Sequence, residues 1–194
     1  MIPIARNEIL TIGEYETVRP HFRTRVIEEK RVRRAALSPI MTVIFENRDS
    51  VLMQIQEMLR TERITSEDGI AHEMETYNEL LPKESQLSMT LFIEIAEKEA
   101  RERTLTELAG LEEQVSIEID DVRCRGTAAD RSVEGIARTT AIHYFKIDLP
   151  VSARERLASG QARVAVRCDH PAHLARAVLP AATVKSLARD VAGA

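Results

Sequence analysis

The chain opens with mixed polar and apolar residues and then settles into distinct periodic blocks. Residues 19–34 read as a helix entered through Pro20, with Phe22 and Val26 on its inward side and Ser38-Pro39 after its end. Met41 to Phe45 is a short apolar run, the pattern of a buried strand. After it, Val51, Leu52, Ile55, Met58 and Leu59 form one helical stripe, preceded by N-cap candidates in Glu46 to Ser50. A second helix runs from Ser66, with Ile70, Met74, Tyr77 and Leu81 inward, and Pro82 closes it. The few residues around Ile64 between these helices predict an antiparallel pair.

From Gln86 the apolar period changes from helical to two. Met89, Leu91, Ile93 and Ile95 alternate, as do Val115, Ile117 and Ile119. Ala141, His143, Phe145, Ile147 and Leu149 repeat the pattern, and so do Val164, Val166 and Cys168. These blocks predict strands near 88–95, 113–120, 139–149 and 163–168. A loop containing Gly126 and Gly135 joins two of them, and Asp169-His170-Pro171 is a turn signal. Glu97 to Leu108 and residues 182–192 read as further helices. The expectation is one α+β domain spanning 1–194. Its antiparallel sheet lies in the C-terminal half, with the helix pair and N-terminal helices packed against it.

Composition narrows the function classes. Aromatics are 4% of the chain with no Trp, which argues against a stacking platform for bases or sugars. No run of 18 apolar residues is present, and Arg6, Asn7 and Glu8 stand where a signal peptide would be apolar. These features predict a cytoplasmic protein with no membrane association. Cys124 and Cys168 lack CxxC spacing and read as two reduced thiols.

Several stretches resemble one bacterial family. They are Phe45-Glu46-Asn47-Arg48-Asp49, Gln54-Ile55-Gln56-Glu57-Met58, Thr76-Tyr77-Asn78-Glu79-Leu80-Leu81-Pro82, Thr90-Leu91-Phe92-Ile93-Glu94 and Asp169-His170-Pro171-Ala172. Together they resemble the uncharacterised domain of unknown function 3501 family through nearly the whole chain. The chain departs at His173, where relatives often carry an aromatic. The resemblance brings no catalytic residues. It implies a genomic setting beside rubrerythrin-like proteins and iron–sulfur oxidoreductases, and hence a role connected with redox or peroxide-stress proteins.

Three clusters could carry chemistry. On the helix pair, His72 and Glu75 are spaced i, i+3, and Glu79 lies one turn on. Glu57 and Gln54 project from the partner helix. One histidine with several carboxylates is a ligand set for iron, manganese or zinc. His72-Glu73-Met74-Glu75-Thr76 starts like a zincin motif but has Thr where the second His belongs, and no Glu-x-x-His pair occurs. A solvated polar face opposite Met74 and Tyr77 explains the same residues.

The second cluster is Cys168, His170 and His173, with His143, whose donors zinc accepts. Strand alternation instead points Cys168 and His143 into a core and makes His170 a turn residue. The third is residues 19–34, where seven basic groups against Glu28 and Glu29 give +5 and leave −9 elsewhere. Arg23, Lys30, Arg31, Arg33 and Arg34 could meet phosphates. The acidic chain, pI near 5.8, and the lack of a recognition motif argue against nucleic acid as the partner.

Two readings result. One is an accessory protein acting through contacts with redox proteins or with copies of itself. The other is a small metal-binding protein or metalloenzyme using Glu57, His72, Glu75 and Glu79.

Overall fold

A computed structural model describes residues 1–128 and 138–192. Gly135, expected in a loop, lies outside the described residues. Among the described residues, eight strands form one sheet: β1 (Arg34–Ser38), β2 (Met41–Phe45), β3 (Gln86–Ile93), β4 (Val115–Ile119), β5 (Val122–Ala128), β6 (Ile142–Asp148), β7 (Val164–His170) and β8 (His173–Val178). Six α-helices among the same residues accompany them: α1 (Ile12–Arg33), α2 (Arg48–Thr61), α3 (Glu67–Asn78), α4 (Lys98–Glu107), α5 (Val151–Ala158) and α6 (Ala181–Ala192). The sheet order is β1-β2-β3-β6-β5-β4-β7-β8, and every pairing is antiparallel.

This overturns the expected layout of helices packed on a C-terminal sheet. The sheet begins at Arg34 and curls until its two edges meet, giving a nearly closed barrel. β8 and β1 lie side by side, and His173 Nε2 sits 2.9 Å from Ser38 Oγ across the seam. Alternation along each strand sends one set of side chains inward. Val43, Phe45, Met89, Leu91, Phe145, Ile147, Ile117 and Val166 fill the interior and are fully buried. Gly126 belongs to β5, not to a loop. A Cβ there would meet the Phe145 ring at 3.0 Å and the Val115 carbonyl at 3.3 Å, so the packed interior needs glycine at this point.

Helices close both ends. Ala153 and Leu157 of α5 and Val184, Leu187 and Val191 of α6 join the core where β7 begins. Leu105 of α4, with Leu108 and Leu111, joins it at the opposite end. The remaining helices cover the outside of β2, β3 and β6. There Ile4 and Ile9 of the N-terminal segment, Val51, Ile55 and Leu59 of α2, and Ile70 of α3 make a second core that reaches Tyr144 of β6.

Local signals explain the helix limits. Thr11 caps α1 and shares a capping box with Glu14, so the helix starts earlier than Pro20 and carries that proline in its interior. Asn47 caps α2 by accepting from the Ser50 N–H, and Ser66 caps α3. α1 ends at Arg33, and the chain turns directly into β1.

Candidate functional site

The four residues Glu57, His72, Glu75 and Glu79 are not brought together. Glu57 faces α1, where Oε1 accepts from Tyr15 Oη at 2.8 Å and Arg19 Nε at 2.7 Å, and Oε2 accepts from Arg19 Nη2 at 3.0 Å. The Arg19 guanidinium holds its carboxyl down to about 2, against the cost of partial burial. All its strong acceptor directions are therefore used in joining α1 to α2. His72 and Glu75 are exposed on α3, and Glu79 is exposed at its C-cap. Gln54 is half-buried on α2, with Oε1 buried and unpartnered. Among the described residues no three His, Cys, Asp or Glu side chains form a group able to hold a metal ion.

The second cluster is dispersed as well. Cys124 and Cys168 are buried free thiols inside the barrel, and burial pushes both pKa values up. His170 accepts from the Ala172 N–H at Nδ1 (3.2 Å), so Nε2 carries the proton toward the Ala109 carbonyl at 3.1 Å. His173 serves the seam. His143 is buried, and burial pushes its pKa down. Its Nε2 lies 2.8 Å from the Thr140 carbonyl and 3.0 Å from Thr139 Oγ1, while Glu112 is 3.9 Å from Nδ1.

The hydroxyl–imidazole–carboxylate set around His143 resembles a nucleophile triad, but its protons are arranged otherwise. A carbonyl can only accept, so His143 holds its proton on Nε2 and donates it to the Thr140 carbonyl, on the side where Thr139 Oγ1 also lies. Thr139 Oγ1 donates to Glu112 at 2.7 Å. The imidazole therefore cannot take the Thr139 proton as a base would. The set ties residues 139–143 to the end of the barrel.

The basic segment is largely consumed within the fold. Arg33 is 1% exposed and donates to the Phe45 carbonyl (2.8 Å), the Glu46 carbonyl (3.1 Å) and Ser186 Oγ (2.9 Å), while pairing with Asp190. Arg25 pairs with Asp49, Arg31 with Glu28 and Arg34 with Glu94. On α1, Arg23 remains exposed and Lys30 is half-buried.

Sequence reading missed two features. One is a buried polar layer between the sheet and α2. Glu46 is 2% exposed and accepts from Ser50 Oγ and, at 2.6 Å, Thr90 Oγ1. Beside it Lys146 Nζ donates to the Leu81 carbonyl (2.8 Å) and Ser88 Oγ (3.1 Å), and desolvation pushes its pKa down to about 8. Ser88 and Thr90 are the polar alternates between Leu87, Met89 and Leu91, so the signal was present but reads as a solvated face. Here that face is covered by a second helical layer.

The other feature is the opposite outer face, on β5, β4, β7 and β8, where Arg123, Arg125, Leu174, Arg176 and Val178 are all exposed. Pairing registers place Arg125, Ser116, Arg167 and Arg176 in one row across the four strands. The next row is Arg123, Glu118, Ala165 and Val178. Directly opposed like charges destabilise a sheet. Glu118 relieves the Arg167–Arg176 pair by accepting from both, each at 2.8 Å. Asp169 takes Arg123 and Arg167. Arg125 has no ion-pair partner among the described residues and borders an open depression of about 360 Å³, lined also by Glu113, Gln114, Val115, Ser116 and Arg123.

The motifs that carried the family resemblance lie at structural joints. Glu46, Asn47 and Arg48 form the β2–α2 junction, and Arg48 bonds both oxygens of Glu8. Asn78 clamps the Ile4 backbone, accepting its N–H at 2.8 Å and donating to its carbonyl at 3.1 Å. No helix among the described residues is long and apolar enough to cross a membrane.

A family model described as "Protein of unknown function (DUF3501)" matches residues 3–191. The structure is similar to a crystal structure of a novel protein of unknown function from Burkholderia pseudomallei K96243. The TM-score is 0.91 and the identity 30%, over 98% of this chain and 100% of that one. No curated protein matches. The chain belongs to the DUF3501 family.

Proposed function

We propose that this chain is a non-catalytic accessory protein that works by binding another protein through the outer face of β5, β4, β7 and β8. The observation that carries the reading is on β8, where Leu174 is 74% and Val178 47% exposed on a sheet face that also exposes Arg123, Arg125 and Arg176. Covering an aliphatic side chain of this size contributes about 1.5–3 kcal/mol, so two of them flanking Arg176 make an anchor of useful strength. The opposite outer face of the same barrel carries α2, α3 and the N-terminal segment, which shows how such a surface is stabilised when covered.

The family's expected gene company makes rubrerythrin-like proteins and iron–sulfur oxidoreductases the first partners to test. Affinity purification of the full tagged chain from its native host, beside a Leu174→Asp/Val178→Asp variant of equal thermal stability, tests the reading. The expected result is a reproducible partner recovered with the wild type and lost with the variant. Equal recovery by both would refute the use of this face, and no partner in any preparation would refute the accessory role.

A further inference from the structure

We infer that the partner element seated on this face is an acidic amphipathic helix, lying across the strands along the Arg125–Ser116–Arg167–Arg176 row; the inference rests on the accessory reading above.

The argument is one of charge and spacing. The described residues of the two rows and their neighbours carry four arginines, Arg123, Arg125, Arg167 and Arg176, against Glu118, Asp169 and, at the rim of the depression beside Arg125, Glu113. A surplus of positive charge thus sits on a chain whose net charge is −4. Glu118 and Asp169 do more than neutralise. Each holds two guanidinium groups in place, which fixes the row before a partner arrives and lowers the ordering cost of binding. Arg125 has no ion-pair partner among the described residues and offers its guanidinium to an incoming carboxylate.

Adjacent strands lie about 4.8 Å apart, so the row from Arg125 to Arg176 spans about 14 Å. A helix advances 5.4 Å per turn, so carboxylates one turn apart meet Arg176 and Arg167 on adjacent strands. One two turns further on meets Arg125 beyond Ser116, which is buried and accepts from Arg123. Leu174 and Val178 flank Arg176 on the same face of β8, where apolar residues at the edge of such a helix would cover them.

Other occupants fit less well. A second copy seated about a two-fold axis would place this arginine row against itself. Single-stranded nucleic acid lacks an aromatic platform, since no Phe, Tyr or Trp stands on either row. An added strand at β8 would have to displace β1, which already lies there.

The test is photo-crosslinking of the full chain in its native host, with benzoylphenylalanine placed at Leu174 or, as a control, at exposed His72, followed by mapping of the attached peptide. The expected result is a crosslink from position 174, absent from position 72, to a helical segment rich in Asp and Glu. Arg125→Glu should lower its yield about tenfold, the effect of one charge-assisted contact reversed, and Arg125→Lys should restore part of it. Arg125 holds no ion pair in the described fold, so its reversal leaves the fold standing, and a thermal melt checks this. A crosslink from 174 to a neutral or basic segment, to nucleic acid or to a second copy would overturn the acidic helix. So would a yield unchanged by Arg125→Glu. Crosslinking to a protein from position 72 alone would overturn this surface while leaving an accessory role, and no crosslink from either site would overturn both.

Discussion

Replacing Arg33 by Ala should destabilise the protein severely, although Arg33 stands in the most basic stretch of the sequence. The side chain is 1% exposed and joins three elements: α1, the β2–α2 junction through the Phe45 and Glu46 carbonyls, and α6 through Ser186 and Asp190. Its loss leaves the largely buried Asp190 carboxylate without its ion-pair partner and two carbonyls without the donor that Arg33 supplies. Removing one partner of a buried pair costs about 3–5 kcal/mol. With a urea m-value of about 2–3 kcal/mol/M for a chain of this size, the unfolding midpoint should fall by about 1–2.5 M.

Burial raises the Asp190 pKa despite Arg33, so this group favours folding below its unfolded pKa, and that contribution is lost as pH rises through the folded value. Without Arg33 the rise is larger. The loss in Arg33→Ala should therefore be greatest near pH 7 and shrink in acid, where Asp190 is neutral. Asp190→Asn in the Arg33→Ala background should recover part of it, and the four proteins form a double-mutant cycle. Urea melts followed by circular dichroism at pH 4.5 and 7 measure the whole set. A cost under about 1 kcal/mol, or one with no coupling to Asp190, would refute the structural role assigned to Arg33.

Three further outcomes are expected. Glu57→Gln should lose about 1–2 kcal/mol above pH 4.5, a figure reduced for partial exposure; the depressed carboxyl loses its contribution as pH falls toward about 2, so acid melts of the two proteins should converge. Lys146 titrates at about 8 when folded and binds more protons when unfolded, so wild-type stability should gain about 2–3 kcal/mol relative to Lys146→Met between pH 8 and 10.5, and parallel curves would contradict the buried-amine assignment. Both cysteines should resist a thiol reagent in the native protein and react in urea without prior reduction; rapid native labelling would contradict their place inside the barrel.

Strands with strong apolar alternation are legible in the sequence: β3 and β4 carry Leu, Met, Ile or Val at every second position, and β6 and β7 keep the alternation with His143 in one series and Cys168 and His170 in the other. The barrel is not, because the strands that extend and close it carry weak signals. β5 turns Cys124 and Gly126 inward, and β8 turns Ala175 and Ala177 inward, all small residues suited to a crowded interior. β1 opens with Arg34 directly after Arg33 and reads as the tail of a basic helix. Pro20 reads as a helix entrance, but the Thr11–Glu14 capping box, about two and a half turns upstream, sets the start. The Glu57, His72, Glu75 and Glu79 cluster failed as a group for a geometric reason. Helical spacing fixes which residues share one helix, but only packing decides which neighbour Glu57 faces, and it faces Tyr15 and Arg19 of α1. The arginine row was invisible for the same reason, since its members are joined by strand register alone.

The most direct test of the central claim is the dissociation constant of the co-purified partner for three forms of the chain, measured by calorimetry. For Leu174→Asp/Val178→Asp the account predicts binding at least about tenfold weaker than wild type, from the loss of two anchoring aliphatic side chains. For His72→Ala/Glu75→Ala, on the exposed face of α3, it predicts wild-type affinity. Unchanged binding by the first variant, or weakened binding by the second alone, would contradict it.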